Sequence, residues 1–584
     1  MADSEKELFC LSRFLSSLSS YRVAMIDQTE PMGIVLKTTK WQLRLPSGWE
    51  PLRQPVFRAL WLAALASNVG TWMHEVGADW LMTSLSTSPL LVSLVEAATS
   101  LPVFLLSLAA GALADVVDRR RLLLFTQCWM LVAAAGLGIL TLAGGTTPWL
   151  LLGFTFLLNI GTALNGPAWQ AIVPELVAQD EIPSAVALNS VGFNIARSVG
   201  PALGGLIVAY LGSGMVFLLN AASFLAIIVL LARWRRTSRK SVLPAERVLG
   251  GIRAGIRYVR YVTDIRHVLA RTGLFIFFAS SIWGLVPIVA RKNFGLGASG
   301  YGVFLACLGA GAVAAASVLQ RVRQAVPTDR LLAAGTLVFS ASLVVMAVTT
   351  HFAVACLAMA SAGAAWTTTL STFNAIAQLS VSSWVRGRAL AVYQIVFFGW
   401  MAAGSTIWGA VAAHFSTSVA LLLAAVGLAT TLAAIKGYPL KLPMGDLSPA
   451  MHWPDPVLAW QPGLSDGPVM VTVEYSVEPP QAEGFLNAMH EIGRRRRRDG
   501  AIQWALFHDV AQPNRYVETI IVESWAGELR RHEHVTEEDR AAEERVLSFL
   551  ASQTPPIVTH LVAEHPLLRE SGHRHLAKTD GMSV

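Results

Sequence analysis

The 584-residue chain has few charged residues and few cysteines. Asp, Glu, Lys and Arg make up 14% of it, whereas about 25% is usual in soluble globular proteins. The cysteines are far apart, which argues against a disulfide framework or a cysteine metal cluster; they are Cys10, Cys128, Cys307 and Cys356. The sequence also lacks the Gly-x-x-x-x-Gly-Lys loop that would bind ATP in a primary pump.

The first 50 residues lack an apolar stretch long enough for a secretory signal, although they contain Arg13, Arg22 and Lys37. We predict that residues 1–50 form a disordered cytoplasmic leader. Met25 and Met32 are alternative start positions within it.

The chain is rich in long apolar runs, and 54% of its residues are hydrophobic. A helix needs about 20 apolar residues to cross a bilayer. Twelve runs are of roughly this length; they lie near residues 57–82, 90–113, 122–143, 147–168, 186–211, 215–232, 268–290, 301–319, 331–349, 352–376, 389–413 and 417–436. The sequence therefore predicts an all-α, multi-pass membrane protein of two six-helix halves, residues 51–232 and 268–442, joined by a basic central loop at 233–267.

Lys and Arg are concentrated in every second loop between these runs. Basic residues follow the second, sixth, eighth and tenth runs, whereas the fourth is followed by an acidic loop. Loops after odd runs lack Lys and Arg, except for the loop with Arg291 and Lys292. By the positive-inside rule, both termini and the central loop are predicted to be cytoplasmic, in the cell membrane. Orientation explains the net charge of +7, so no nucleic-acid partner is expected.

A short polar hairpin, Gly111-Ala-Leu-Ala-Asp115-Val-Val-Asp118-Arg119-Arg120-Arg121, separates the second and third runs. It resembles the signature loop of major facilitator superfamily transporters. Its Asp-Arg-Arg-Arg end resembles the subfamily of siderophore and macrolide exporters, as does the later turn Val385-Arg386-Gly387-Arg388-Ala389.

The resemblance implies a gating motif made of Gly111, Asp115, Arg119, Arg120, Arg121, Arg386 and Arg388. In it, Gly111 permits close helix approach and the arginines bind carboxylates and lipid headgroups. Asp115 faces the helix start at Arg386–Ala389, since a helix start carries about half a positive charge. A topological stop made of arginines is the simpler alternative.

Small residues recur every fourth position in the fifth run, at Gly192, Ala196, Gly200 and Gly204. This stripe predicts close packing against another helix. The segment Gly200-Pro201-x-x-Gly204-Gly205 also resembles the fifth-span signature of proton-linked antiporters.

Charge inside a bilayer is costly, so a charged residue inside a run needs a functional reason. We predict that four such residues couple transport to protons. Glu75 and Asp79 are four residues apart and share a helix face, so they should resist joint ionisation. The alternative is that both are hydrated at the outer interface. Glu96 is predicted either to face a water-filled cavity or to pair with the counter-charge of these carboxylates. Arg197 either binds an anionic substrate or a carboxylate, or reaches to the inner interface.

Polar and aromatic residues in both halves are predicted to line a cavity for a bulky amphipathic molecule. They are Asn159, Asn165, Asn220, Trp366, Asn374, Gln378 and Gln394. Interfacial anchoring is the alternative for the tryptophan.

After residue 442 the composition changes to a Pro-rich linker, 443–465, and then to mixed sequence. Residues 466–566 show the order strand, helix, strand, strand, helix, strand, which predicts a small α+β ferredoxin-like domain before a tail at 567–584. The Glu523-Ser-Trp525 end of its third strand resembles antibiotic-biosynthesis-monooxygenase-like domains, which commonly dimerise. We therefore expect a homodimer through this domain.

No metal site and no cofactor are predicted, because His532-Glu533-His534 lacks the i, i+4 spacing of two ligands on one helix face. Arg494–Arg498 is interpreted either as a solvated helix face or as a lipid-headgroup contact.

Taken together, these features predict a secondary transporter, driven by the proton gradient, that exports a small molecule of the siderophore or macrolide type. A lysophospholipid transporter or importer is the alternative within transport. The alternative from another class is a membrane-tethered monooxygenase-like enzyme or binding module. Catalytic residues are not assigned.

Overall fold

The computed structural model describes residues 48–234, 248–440, 446–450, 452–453, 458–551 and 556–564. The first half consists of six helices, several of which begin with proline at the first turn, where its missing N–H costs nothing. They are α1 (Pro55–Leu85), α2 (Pro89–Val116), α3 (Arg119–Leu142), α4 (Pro148–Leu176), α5 (Ile182–Leu211) and α6 (Ser213–Arg233).

The second half also has six long or apolar helices, preceded by the amphipathic helix α7 (Val248–Tyr261). They are α8 (Thr263–Ile288), α9 (Ala298–Ala325), α10 (Thr328–Val348), α11 (Phe352–Leu379), α12 (Arg386–His414) and α13 (Thr417–Thr430). The two halves meet where α2 packs along α12 and α5 packs along α9.

Ten helices in the described part of the chain are long and apolar enough to cross a membrane. The other two of the twelve predicted spans correspond to α1, which carries Glu75 and Asp79, and α13, which has 14 residues. The mostly helical membrane fold is therefore confirmed, with ten spans rather than twelve meeting the length and composition of a membrane helix.

The connection between the halves differs from the predicted basic loop at 233–267. Residues 248–261 form α7, and α8 already begins at Thr263, five residues before the predicted second half. Asp264, Arg266 and His267 lie in these first residues of α8, which is why hydropathy alone placed its start too late. Residues 235–247 lie outside the described residues.

The C-terminal domain is a four-stranded antiparallel sheet with helices. Its elements are β1 (Val469–Ser476), α14 (Ala482–Asp499), β2 (Gln503–His508), β3 (Arg515–Val522), α15 (Trp525–His534), α16 (Glu537–Leu547) and β4 (Ile557–Val562). The strand order is β2-β3-β1-β4. The predicted element order is found, with the second helix divided into α15 and α16 at the capping box of Thr536 and Asp539.

One face of this sheet is covered by its helices. Along β1, alternate residues from Val469 to Tyr475 are buried. Val473 and Tyr475 pack in one apolar cluster with Phe485 and Met489 of α14. The segment before β1 also packs on the domain, where the Ala450 N–H donates to the Val535 carbonyl over 2.9 Å.

Candidate functional site

A cavity of about 40 Å³ lies between the two halves, where α1, α2 and α5 face α8 and α9. Four predicted coupling residues line it together: Glu75, Asp79, Glu96 and Arg197. A single water needs ~10–15 Å³ by the same measure. The cavity therefore has room for a few waters, and a bulky molecule needs a more open conformation.

Hydrogen bonds hold two of the three carboxylates in place. The Tyr301 hydroxyl, from the second half, donates to Asp79 Oδ2 over 2.8 Å. Within the first half, the Ser100 hydroxyl donates to Glu96 Oε1 over 3.0 Å. Asp79 is thus held by a residue of the opposite half.

Arg197 lies near the middle of α5 and lines the cavity with the carboxylates. Its guanidinium carbon is 5.8 Å from the Trp72 ring centroid and 6.0 Å from that of Trp283, within cation–π range. Three carboxylates and one guanidinium leave an excess of negative charge if all are ionised. A site shielded from water tolerates this poorly, so protons or a cation must balance it.

His74 was not among the predicted site residues, although it also lines the cavity. It is 3% exposed and packs against Phe217, with ring centroids 4.4 Å apart. Neither of its ring nitrogens has a hydrogen-bond partner among the described residues. Its position directly before Glu75 was the available sequence signal.

Of the seven predicted cavity residues, Asn159 lines this cavity. Asn165 instead accepts hydrogen bonds from Thr126 and Gln127 between α3 and α4. Asn220 and Trp366 are buried in helix packing. Gln378 donates a side-chain hydrogen bond to Asn374. Gln394 is exposed. These six residues therefore lie away from the small cavity of this conformation, and their role in a larger substrate cavity stays a prediction.

The glycines of α5 lie against two different helices. A Cβ at Gly200 would be 2.6 Å from Trp72 Cβ, and one at Gly204 would be 2.9 Å from Met73 Cα, so both permit contact with α1. A Cβ at Gly205 would be 2.8 Å from Gly302 Cα on α9. Gly192 is less tightly packed, with Trp61 at 3.5 Å, and Pro201 also lines the cavity.

The arginines of the predicted gating motif bind helix ends in the first half. Arg119 donates to Glu175 Oε1 over 2.8 Å and to the Ala171 carbonyl. Arg120 donates to the Leu231 and Ala232 carbonyls at the end of α6, where a cation is favourable. Asp118 caps the start of α3, where its Oδ1 accepts a hydrogen bond from the Arg121 backbone N–H over 2.9 Å.

The other members of the predicted gating motif lie as follows. Outside its own helix, no described atom lies within 4 Å of a Cβ built on Gly111, so this conformation shows no close helix approach there and that role stays a prediction. The side chain of Asp115 lies outside the described residues. Arg386 is exposed at the start of α12.

Arg291 and Lys292, the exceptions to the charge pattern, join the halves at the far side, the end of the bundle where α1 meets α2 and α8 ends. Arg291 donates to the Thr83 carbonyl, and Lys292 donates to the Thr87 carbonyl over 3.1 Å. Both cations therefore join the two halves at the far side, which explains why they depart from the charge pattern that predicts the orientation of the chain in the membrane.

The C-terminal domain contacts the opposite end of the bundle, which we call the tail side. His534 lies flat on Trp384, with ring centroids 3.6 Å apart and planes 8° apart. Trp384 belongs to the turn before Arg386 and Arg388. The Tyr258 hydroxyl of α7 donates to the Ser380 carbonyl in the same turn over 3.2 Å.

Helix α7 links this turn to the sheet domain. Arg388 packs against Gly251 and Gly255, where an added Cβ would lie 3.1 Å and 2.9 Å from its side chain. Arg257 of α7 donates to the Arg498 carbonyl of the domain over 3.3 Å. The predicted Arg386–Arg388 turn is thus held by α7 and by the C-terminal domain.

The arginine run of α14 is largely internal to the domain, unlike either predicted alternative. Arg495 and Arg498 pair with Asp539 over 2.6 and 2.7 Å, and Arg496 pairs with Glu543 over 2.7 Å. Burial alone would raise the pKa of Asp539, yet Arg498 and Arg495 bring it well below its usual range. Burial would likewise raise the pKa of Glu543, but Arg496, His452 and Trp453 outweigh it and lower this pKa to about 2.

The two six-helix halves that meet around this cavity form a multi-pass membrane protein of the major facilitator fold. The fold is shared with a D-xylose–proton symporter, at a TM-score of 0.54 and 14% identity over 66% of this chain and 98% of that one. A bacterial homologue of the human lysosomal transporter Spinster, in an inward-facing conformation, gives a TM-score of 0.50 and 15% identity over 67% of this chain and 95% of that one.

The transmembrane secretion effector family matches residues 46–567, so the chain belongs to this family of major facilitator transporters. It is 27% identical to the staphyloferrin A transporter of Staphylococcus aureus over 44% of this chain and 64% of that protein. It is 30% identical to the multidrug efflux pump Tap of Mycolicibacterium fortuitum over 36% of this chain and 55% of that pump. The chain thus spans less than two thirds of these relatives.

The family relationship confirms the predicted resemblance and indicates a transporter rather than an enzyme. It gives no support to a membrane-tethered enzyme as the main function. The resemblance of residues 466–566 to monooxygenase-like domains stays a prediction.

Proposed function

We propose that the protein is a proton-coupled exporter of a bulky amphipathic small molecule, of the siderophore or macrolide type. The observation that carries this proposal is the cavity in which Glu75, Asp79, Glu96 and Arg197 lie together between the halves. Such a group has too many negative charges to stay unprotonated in a water-poor site. The relatives named as a siderophore transporter and a drug efflux pump support export.

In this proposal the two halves rock about the cavity and expose it alternately to each side. Closure of the far side uses Arg291, Lys292 and the contact of Gly205 with Gly302. Opening there would break these contacts and also separate Tyr301 from Asp79, because the two residues belong to opposite halves. Separation would free the Asp79 carboxylate to exchange a proton.

We also propose twelve spans, with α1 and the helical stretch beginning at Thr417 crossing the membrane, and both termini in the cytoplasm of the cell. The tail side carries arginines of the loop after α2, of α7 and of the start of α12, as the positive-inside rule requires of a cytoplasmic face. No cofactor is needed in this mechanism, since the proton gradient supplies the energy.

A homodimer through the C-terminal domain is a further part of the proposal. The uncovered sheet face carries exposed apolar residues on both edge strands, namely Phe507 on β2 at 57% exposure and, on β4, Ile557 at 65% and Leu561 at 46%. An apolar face of this kind is typical of protein contacts. We take the partner to be a second copy of the chain, because the domains that residues 466–566 resemble commonly dimerise.

The experiment that tests the proposed function measures proton and substrate flux in proteoliposomes under a pH gradient. The panel contains siderophores, macrolides and lysophospholipids, and the variants are Asp79→Asn and Asp264→Asn. Asp264 is exposed at the start of α8 and serves as the control. We expect substrate-dependent proton flux that Asp79→Asn abolishes and Asp264→Asn leaves intact. Lysophospholipid flux that ignores both the gradient and the mutation would contradict the proposal.

Gly205→Ala is expected to weaken closure of the far side. The new methyl group would lie 2.8 Å from Gly302 Cα and 2.9 Å from the Ala298 carbonyl oxygen, so the backbones of α5 and α9 must separate. Overpacking of this kind costs about 1–3 kcal/mol. Thermal unfolding in detergent should show the loss, and transport should slow. Gly153→Ala is the control because a Cβ there meets no described atom within 4 Å; equal unfolding temperatures would contradict the prediction.

A further inference from the structure

Two histidines and one glutamate converge in the C-terminal domain, at a distance from the membrane cavity. Glu528 and His532 are four residues apart on α15, so they share one helix face. His560 lies on β4 opposite Val471, on the sheet face that packs against the helices. The fold thus brings His560 to two residues that lie 28 and 32 positions earlier in the sequence.

The three ligand atoms all lie within 4.8 Å of one another. Glu528 Oε1 is 3.5 Å from His532 Nε2 and 3.6 Å from His560 Nε2. These distances are long for hydrogen bonds, whose usual N···O separation is about 2.9 Å. Metal–ligand bonds of about 2.1 Å place neighbouring ligands of a tetrahedral ion about 3.4 Å apart, close to the observed values.

The surroundings orient the carboxylate and leave one of its oxygens available. Glu528 is 2% exposed, and Arg531 Nη1 donates to its Oε2 over 2.7 Å, so Oε1 is the oxygen that faces the histidines. Buried His560 Nε2 has no hydrogen-bond partner within the described segments. An outer group that fixes a ligating carboxylate in this way is typical of metal sites.

Aromatic rings shield the group while it keeps access to solvent. The Trp453 ring stands edge-on to His532 at 5.2 Å, and the Trp525 ring stands edge-on to His560 at 6.0 Å. The side chains of His532 and His560 are each 17% exposed. Each imidazole thus reaches solvent with part of its ring, whereas Glu528 and the His560 Nε2 atom are buried.

We propose that Glu528, His532 and His560 bind a divalent transition-metal ion, with zinc as the representative ion. Two imidazoles and one carboxylate suit Zn²⁺ or Fe²⁺, whereas Ca²⁺ and Mg²⁺ prefer oxygen ligands. Three protein ligands leave a position for water or a further ligand. The inference does not depend on the proposed transport function.

The site ties α15 to β4, and α15 is also the helix that reaches the transporter. Its last residue, His534, lies on Trp384 of the turn before α12. Metal binding therefore fixes the helix through which the domain contacts the membrane bundle.

The test titrates Zn²⁺ into the purified, metal-stripped full chain in detergent by calorimetry. We expect one strong Zn²⁺ site. Its affinity should fall by at least about 100-fold in His532→Gln and in His560→Gln, because losing even an outer-shell partner of a ligand lowers metal affinity by up to about 100-fold. Two controls should keep the wild-type affinity: His490→Gln, an exposed histidine of α14, and the double variant His573→Gln with His575→Gln.

Absence of zinc binding, equal affinity in the two ligand variants, or loss of binding in a control would overturn the proposal. Hydrogen exchange of α15 checks whether the ligand variants keep their fold. If they do not, X-ray absorption of the zinc-loaded wild type decides. Two imidazole nitrogens with oxygen ligands support the site, and any other ligand set contradicts it.

Discussion

Replacing Glu75 by glutamine is expected to slow the proposed proton-coupled export strongly while leaving the amount of protein in the membrane nearly unchanged. Glutamine keeps the shape of the side chain but cannot exchange a proton. It also removes a negative charge from the cavity that Arg197 shares. We expect the rate under a proton gradient to fall by at least about tenfold, which corresponds to ~1.4 kcal/mol in the barrier.

The measurement is substrate efflux from proteoliposomes with and without a pH gradient. Glu96→Gln should act in the same direction, because Glu96 lines the same cavity, while Asp264→Asn should not. Binding of substrate without a gradient distinguishes lost coupling from a lost site. Wild-type rates in Glu75→Gln would remove this carboxylate from the mechanism.

The largest loss of stability is expected in the C-terminal domain from Glu543→Gln. Glu543 is 16% exposed and binds three groups: Arg496 Nη1 over 2.7 Å, His452 Nε2 over 2.8 Å and Trp453 Nε1 over 2.8 Å. Its pKa falls from 4.5 to about 2 in the folded domain, which corresponds to about 3 kcal/mol of stability at neutral pH. Removing one partner of a buried ion pair has a cost of similar size, about 3–5 kcal/mol.

The matched control is Glu544→Gln, the next residue in α16. Glu544 is 61% exposed and pairs with Arg540, which is 47% exposed. Exposed pairs contribute little. Hydrogen exchange of β1, measured in the full chain, should accelerate strongly in Glu543→Gln and hardly in Glu544→Gln. Equal exchange in the two variants would show that the buried pair does not stabilise the domain.

The same carboxylate predicts how stability depends on pH. The folded pKa is lower than the unfolded one, so the unfolded state binds more protons and stability rises with pH in this range. The contribution is complete above about pH 5 and is lost as the pH falls towards 2. Exchange of β1 in the wild type should therefore approach that of Glu543→Gln as the solution is acidified, and a constant difference would contradict the assignment.

Hydropathy and charge were sufficient to predict most of the helices, because membrane spans are long and uniform. They failed where a helix continues beyond the apolar part, as at Thr263, and for α7, whose apolar residues alternate with arginines. The apolar positions Ile252, Ile256 and Val259 have helical spacing, which was the available signal.

Charge was a better guide than polarity to the residues that line the small cavity of this conformation. Glu75, Asp79, Glu96 and Arg197 were singled out because charge in a span needs a reason, and the structure places them in one cavity. Asparagines and glutamines carry no such penalty, since a single neighbour can satisfy them. The sequence did not single out Glu528, His532 and His560 as a group, because the fold rather than local spacing brings His560 to the other two.

The contact of His534 with Trp384 has a consequence for regulation. The turn that carries Trp384 leads directly into α12, which packs along α2 of the other half. If rocking of the halves changes this contact, the membrane cavity and the C-terminal domain are energetically coupled. Such coupling is reciprocal: a ligand of the C-terminal domain would alter the affinity for the transported molecule, and that molecule would alter the affinity of the domain for its ligand by the same factor.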